Sequence, residues 1–423
     1  MKIEIQNARL PDNTTKTLYI ENGVIVANLS SAPDTVINAQ NYLLSPALID
    51  PHAHLRVPGQ LEKENLETGL GAAVAGGFGS VVCMPNTNPA LEQPELLRSL
   101  QDQANQLGLA RLYSSAALTR GRAGQILTDA AALQRAGAVM LTDDGNTNED
   151  AGVLRRGLEY AHALGLLVSV HAEDASLRGN GVMNEGKSSA LLGLPGNPIA
   201  AEAARIARDL EICALTGARL HIQHLSSARG LELVRAAKAR GIRVSCEVAP
   251  HHLTLTDTLL TTERFYCDPV LKVAPPLRSA ADCAALLEGL IDGTVDCIGT
   301  DHAPHTAAEK QLDMLSAPFG IANIEITFPL LYTRFVETGK LELSKLLELM
   351  TTGVAKVLGW QVPNLEVGSV ADVALFDLHT SKTVDSRQFK SKARFDSPWQ
   401  SETLRGWAVC TIVHGQVVFD ARP

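Results

Sequence analysis

From residue 44 onward, short apolar runs alternate with stretches of helical periodicity, and this alternation restricts the possible folds more than any other feature of the chain. The apolar runs lie at 44–50, 80–84, 110–117, 138–142, 166–170, 219–223, 242–248 and 296–299. Helical patterns at 92–106, 151–163, 200–215 and 280–290 fall between them. Nearly continuous apolar strands joined through helices are the signature of a parallel sheet covered by helices. Eight such units predict an α/β fold, a (β/α)8 barrel over 44–364, with functional groups at the carboxyl ends of the strands.

The two ends of the chain read differently. Residues 1–43 alternate apolar and polar side chains, with a turn at Asn22-Gly23, and residues 365–423 contain further strand-like runs at 371–376 and 409–419. They are expected to pair into one small β-rich domain, 1–43 with 365–423. The 423 residues suffice for one large domain plus a smaller one.

Thr68 to Leu91 carries no charge and is long enough to span a bilayer. Its glycines and prolines instead predict a helix to about Ala75, a glycine turn and a buried strand near Ser80 to Cys83. The net charge of −9 argues against a nucleic-acid or polyanion surface. Seven cysteines without C-x-x-C spacing argue against a disulfide framework, and the N-terminus has no apolar signal segment, so a reducing cytoplasm is the expected location.

The strand ends carry the chemistry. His52 and His54 are two residues apart, so on a strand both imidazoles point the same way, with Arg56 alongside. Asn86 ends the second strand, Asp143 and Asp144 the fourth, His171 the fifth, His224 the sixth and Asp301 the eighth. Imidazole and carboxylate suit zinc, and this many ligands suit a pair of ions better than one. His221 and His224 are three apart, so only one faces the barrel centre, and His224 at the strand end is the better choice. His251 and His252 can support a site without being ligands, and His302 should point away. His162 reads as helix surface, and His379 and His414 belong to the small domain. An aspartate beside activated water, as Asp301 would be, can shuttle a proton to a departing nitrogen.

With these residues assembled, the chain resembles the dihydroorotases of the amidohydrolase superfamily. The motifs are Asp50-Pro-His-Ala-His-Leu-Arg-Val-Pro-Gly59, Met84-Pro-Asn-Thr87, Thr142-Asp-Asp-Gly145, His171-Ala-Glu-Asp174, Pro275-Pro-Leu-Arg278, Thr300-Asp-His-Ala-Pro-His305 and Ala317-Pro-Phe-Gly320. Many metallohydrolases on this barrel bridge two metals with a carboxylated lysine of the fourth strand. Here no lysine occurs between Lys63 and Lys187, so Asp144, or less favourably Asp143, must bridge. The chain is thus most similar to the bacterial type with aspartate in the lysine's place.

The resemblance implies two zinc ions held by His52, His54, Asp144, His171, His224 and Asp301, with Asp301 also the catalytic acid/base. It implies a substrate pocket of His54, Arg56, Asn86, His305 and the Phe319-Gly320 backbone. The implied reaction is reversible hydrolysis of the cyclic amide L-dihydroorotate to N-carbamoyl-L-aspartate, in pyrimidine biosynthesis. A homodimer and an association with aspartate carbamoyltransferase are left open; nucleic-acid or membrane partners are not expected. Ala274 stands where the family usually has asparagine, removing one side-chain contact to the ring, and Gly79 replaces a usual threonine. The alternatives are a hydantoinase or allantoinase, which lean on the lysine this chain lacks, and a non-catalytic partner of the carbamoyltransferase, which would lack ligands this chain retains.

Overall fold

A computed structural model describes residues 1–395 and 397–423. Eight parallel strands pair in chain order: β1 (Leu48–Ala53), β2 (Phe78–Cys83), β3 (Arg111–Ala116), β4 (Ala138–Leu141), β5 (Leu167–Val170), β6 (Arg219–Ile222), β7 (Val244–Val248) and β8 (Cys297–Ile298). The seam between β8 and β1 closes just beyond β8. There Asp301 N–H donates to His52 O (2.9 Å) and His54 N–H donates to His302 O (2.8 Å). The backbone that seals the barrel is therefore the same backbone that carries three candidate ligands. The expected (β/α)8 barrel is the observed fold.

The helices start and stop on local signals. Pro94–Leu107 has proline in its first turn and ends at Gly108 in the left-handed region. Ala280–Asp292 opens with a capping box between Ser279 and Asp282. The uncharged segment resolves into helix Leu66–Ala75 and strand β2. Among the described residues, no helix is long and apolar enough to cross a membrane.

A second sheet combines both termini. Strands Lys2–Arg9, Thr15–Glu21, Val24–Val26, Thr35–Asn38 and Leu43–Pro46 join Val373–Asp377, Trp407–Val413 and Gln416–Asp420. Its own core includes Ile3, Ile5, Leu18, Ile20, Val373 and Ile412. The run expected as one strand at 44–50 is two. Leu43–Pro46 pairs with Val373–Asp377 in this sheet, and after Ala47 the chain enters the barrel as β1. A Cβ on Gly79 would sit 2.6 Å from the Ala47 Cβ, so this crossing explains the glycine in place of a larger residue.

The inside of the barrel is plugged toward its amino end. Ile49, Val82, Met84, Met140, Leu167 and Cys297 pack with Val354, Ala355, Val357 and Leu358 of helix Thr352–Leu358. This apolar layer separates the polar groups at the carboxyl ends of the strands from the amino end of the barrel.

Candidate metal centre and substrate pocket

Two triads converge at the carboxyl ends of the strands: His52, His54 and Asp301, and Asp144, His171 and His224. Within each triad the ligand atoms lie within 4.8 Å of one another, and all six residues are buried. Asp144 stands between the triads. Its Oδ1 is 3.5 Å from His52 Nε2 and 3.9 Å from His224 Nε2, and its Oδ2 is 3.6 Å from His54 Nε2. Asp143 turns away, accepting from Thr119 N–H (2.9 Å), Thr119 Oγ1 (2.6 Å) and Asn148 Nδ2 (3.1 Å). Of the two acids left open by the sequence, only Asp144 faces both triads.

His52, His54 and His171 are each aimed by a partner on the other nitrogen, the arrangement that fixes tautomer and ring orientation at metal sites. His52 Nδ1–H donates to Glu247 Oε1 (2.6 Å), which leaves Nε2 for the centre. His54 Nδ1–H donates to Asn86 Oδ1 (2.9 Å), and His171 Nε2–H to Glu173 Oε2 (2.9 Å). The buried His52 Nε2 has no hydrogen-bond partner. With its N–H spent on Glu173, the Nδ1 lone pair of His171 faces His224 Nε2 at 2.9 Å. At that separation either a proton on His224 Nε2 or a cation lies between the two nitrogens. The donor set and the orphaned nitrogen therefore fit divalent metal.

The local field favours cations. Burial alone would lower the His52 imidazole, but the carboxylates of Glu247, Asp144 and Asp301 push it up to about 10. A cavity that attracts a proton so strongly also attracts a metal ion, which competes for the same nitrogen. Burial would raise the Asp301 carboxyl, yet the His54 hydrogen bond (3.0 Å) and the charges of His52 and His54 hold it well below the usual carboxylate range. Asp301 is thus ionised at neutral pH.

Beside the triads lies a cavity of about 280 Å³, lined by Arg56, Asn86, His305, Phe319 and Gly320 together with Ala274 and Arg178. Arg56 has a left-handed backbone (φ 60°) that turns its side chain inward, and its Nε donates to Pro304 O (3.1 Å). Burial lowers the guanidinium to about 10, against the raising influence of Asp301 and Asp144, so it stays charged at neutral pH. His305 Nε2 lies 3.3 Å from Arg56 Nη2 and 2.8 Å from Phe319 O. Its N–H is spent on that carbonyl, a commitment that sequence could not reveal. Burial and the neighbouring charge of Arg56 push its imidazole below its ordinary value, so the ring is neutral.

Two supporting residues, Glu247 and Glu173, escaped the sequence reading, whereas His251 takes the supporting place expected of it. Glu247 holds His52 and also accepts from His221 Nε2 (3.2 Å), and Glu173 holds His171. The buried His251 Nε2 has no hydrogen-bond partner and lies 3.8 Å from Asp301 Oδ2. A lone acid inside the apolar run Val244-Ser245-Cys246-Glu247-Val248 was the available signal for the first. The His171-Ala-Glu spacing was the signal for the second. The position of His251 after β7 marked it as a supporting residue, and β7 meeting β8 makes Asp301 its neighbour. His302 points away as expected, its Nδ1 accepting from Asn323 N–H (3.1 Å).

A family model described as Dihydro-orotase-like matches residues 41–230. The chain is 57% identical over 420 residues to a protein named dihydroorotase from Deinococcus radiodurans, covering 99% of each. It is 52% identical to one of the same name from Thermus aquaticus, again covering 99% of each. Among solved structures, L-hydantoinase (dihydropyrimidinase) from Arthrobacter aurescens superposes with a TM-score of 0.87 at 26% identity, covering 100% of this chain and 96% of that one. D-hydantoinase from Thermus sp. gives a TM-score of 0.84 at 24% identity over 99% of this chain and 96% of that one, a likeness of fold alone. Identity of this degree over the full length, joined to two buried triads and an arginine-lined pocket, means that the chain belongs to the dihydroorotase family.

Proposed function

We propose that the protein catalyses the reversible hydrolysis of L-dihydroorotate to N-carbamoyl-L-aspartate in the cytoplasm. The observation that carries this reading is the placement of Arg56 in one cavity with Asp301 and Asp144. A cyclic amide bearing a carboxylate needs an anion clamp next to the hydrolytic centre, and a guanidinium offers two parallel N–H donors to a carboxylate.

His52, His54 and Asp301 would hold one zinc ion and His171 and His224 the other, with Asp144 shared. Such ions supply Lewis acidity that activates water and polarises the ring carbonyl. All six side chains come from one chain, so the proposed centre is complete without residues from a homodimer partner or a carbamoyltransferase.

The remaining steps belong to the protein's own groups. Arg56 and Asn86 fix the substrate carboxylate, and the Phe319-Gly320 backbone, anchored through His305, meets the ring. Asp301, ionised and buried, takes the proton of the attacking water. It returns that proton to the ring nitrogen as the carbon–nitrogen bond breaks, leaving a carboxylic acid on the former carbonyl carbon that releases the second water proton to solvent to become the carboxylate. Ring closure runs the same transfers in reverse. The sheet built from 1–43 and 365–423 contributes no group to this chemistry and serves as scaffold.

Purified protein should turn over dihydroorotate in both directions and contain about two zinc ions per chain by elemental analysis. Faster turnover of hydantoin or allantoin than of dihydroorotate would overturn the substrate assignment.

A further inference from the structure

The amino end of the barrel has a cavity of its own, about 360 Å³, that the proposed chemistry does not use. Its floor comes from the starts of three strands: Leu167 of β5, Leu220 of β6 and Val244 of β7. The candidate ligand His171 lies four residues beyond Leu167, so about 13 Å of strand separates the two sites.

Four cations line the cavity: Arg219, Arg243, Lys345 and Lys356. Two carboxylates line it as well, and each is already engaged. Asp296 accepts from Lys238 (2.6 Å) and Glu348 pairs with Lys345 (3.3 Å). Among the described residues, Arg219, Arg243 and Lys356 make no ion pair with a carboxylate. Arg219 donates from Nη2 to Val357 O, and Arg243 from Nη1 to Gly217 O (3.2 Å). Each guanidinium carries five donors, so most remain unspent. The charge of Arg243 adds to burial in lowering the Arg219 guanidinium, as expected for two like charges that share a space without an anion. In a protein of net charge −9 such a grouping does not reflect general basicity.

We propose that this cavity is a binding site for a phosphate monoester of sugar phosphate to mononucleotide size. Unspent guanidinium donors with a lysine match the three terminal oxygens of the phosphate, which accept several charge-assisted hydrogen bonds at once. The apolar floor takes the body of the ester, and the volume falls in the range of small-molecule sites. A bare anion would leave that floor unused.

Calorimetric titration of the full chain at low salt tests this with ribose 5-phosphate, inorganic phosphate and citrate as probes. Ribose 5-phosphate should bind with a Kd of about 1 mM or tighter, and inorganic phosphate more weakly. Arg243→Gln and Arg219→Gln should each weaken binding at least about tenfold while leaving dihydroorotate turnover unchanged. Arg56→Gln, at the opposite end, should leave ribose 5-phosphate binding intact. Because Arg243 is exposed, its variant remains informative even if Arg219→Gln does not fold. The proposal is overturned by the absence of ribose 5-phosphate binding at about 10 mM, or by binding indifferent to Arg243→Gln. Loss of binding in Arg56→Gln would place the phosphate in the catalytic pocket instead, and tighter binding of citrate or inorganic phosphate would refute the ester assignment.

Discussion

At the carboxyl ends of the strands, His52, His54 and His171 each spend one nitrogen on a protein acceptor and turn the other to a buried centre rich in carboxylate. At the amino ends of β5 to β8, Arg219 and Arg243 lean on backbone carbonyls and line an open, basic cavity. The same strands run through both regions. What separates them is the apolar layer from Ile49 to Leu358, across which charges at one end have little hold on those at the other. Parallel strands thus let one barrel present different chemistry at its two faces, because the end residues of each strand are free to vary while the middle must stay apolar.

The contrast breaks most sharply at Asp301. Asp301→Asn should keep its metal by elemental analysis and lose turnover by about a hundredfold or more, as for removal of a general acid/base. Near-normal turnover would deny the carboxylate its proton-transfer role.

Burying an acid should also weaken the fold, and Glu325, which accepts from the backbone N–H groups of Lys390 and Ser391, allows that to be measured. Burial pushes its carboxyl up to about 7, against the N–H donors of Ser391 and Lys390. The unfolded carboxyl ionises near its ordinary 4.5, so between these values the folded state binds more protons. Stability therefore falls as pH rises from about 4.5 to 7 and stays reduced above, by ~3 kcal/mol from this group. Glu325→Gln should recover that amount at pH 8 and nothing near pH 4 in denaturant titrations. An equal gain at both pH values would contradict the mechanism.

The aiming of His52 is tested by Glu247→Gln. Weakening the partner of a metal-ligating imidazole should cost about 10- to 100-fold in metal affinity, read by competition with a chelator, and excess zinc should restore activity. Affinity equal to wild type would reduce Glu247 to packing. The smallest effect is expected from Arg56→Lys, which keeps the charge but loses the planar fork. KM for dihydroorotate should rise about tenfold with kcat little changed, and an unchanged KM would remove Arg56 from carboxylate recognition.

Much of this was legible before any coordinates. The barrel follows from apolar runs whose period and length suit buried strands, and the places of His52, His54, Asp144, His171, His224 and Asp301 follow from being at strand ends. Gly79 had no local explanation, because the Ala47 Cβ that forbids a larger residue comes from the crossing between two sheets. Gly299 is similar: a Cβ there would lie 2.6 Å from the Glu247 carboxylate that holds His52. The split of 44–50 was hidden because both halves are apolar and buried, so no change of pattern marks the passage.

By itself, the sequence determined which side chains can bind metal, where each sits along its strand, and that no lysine can bridge from the fourth strand. These are properties of spacing and composition. Only the tertiary structure decided which nitrogen of each histidine faces the centre, that Asp144 and not Asp143 stands between the triads, and that the N–H of His305 is spent on Phe319. The physical reason is that these choices depend on hydrogen bonds between residues far apart in the chain, such as His52 with Glu247, which exist only once the barrel has closed.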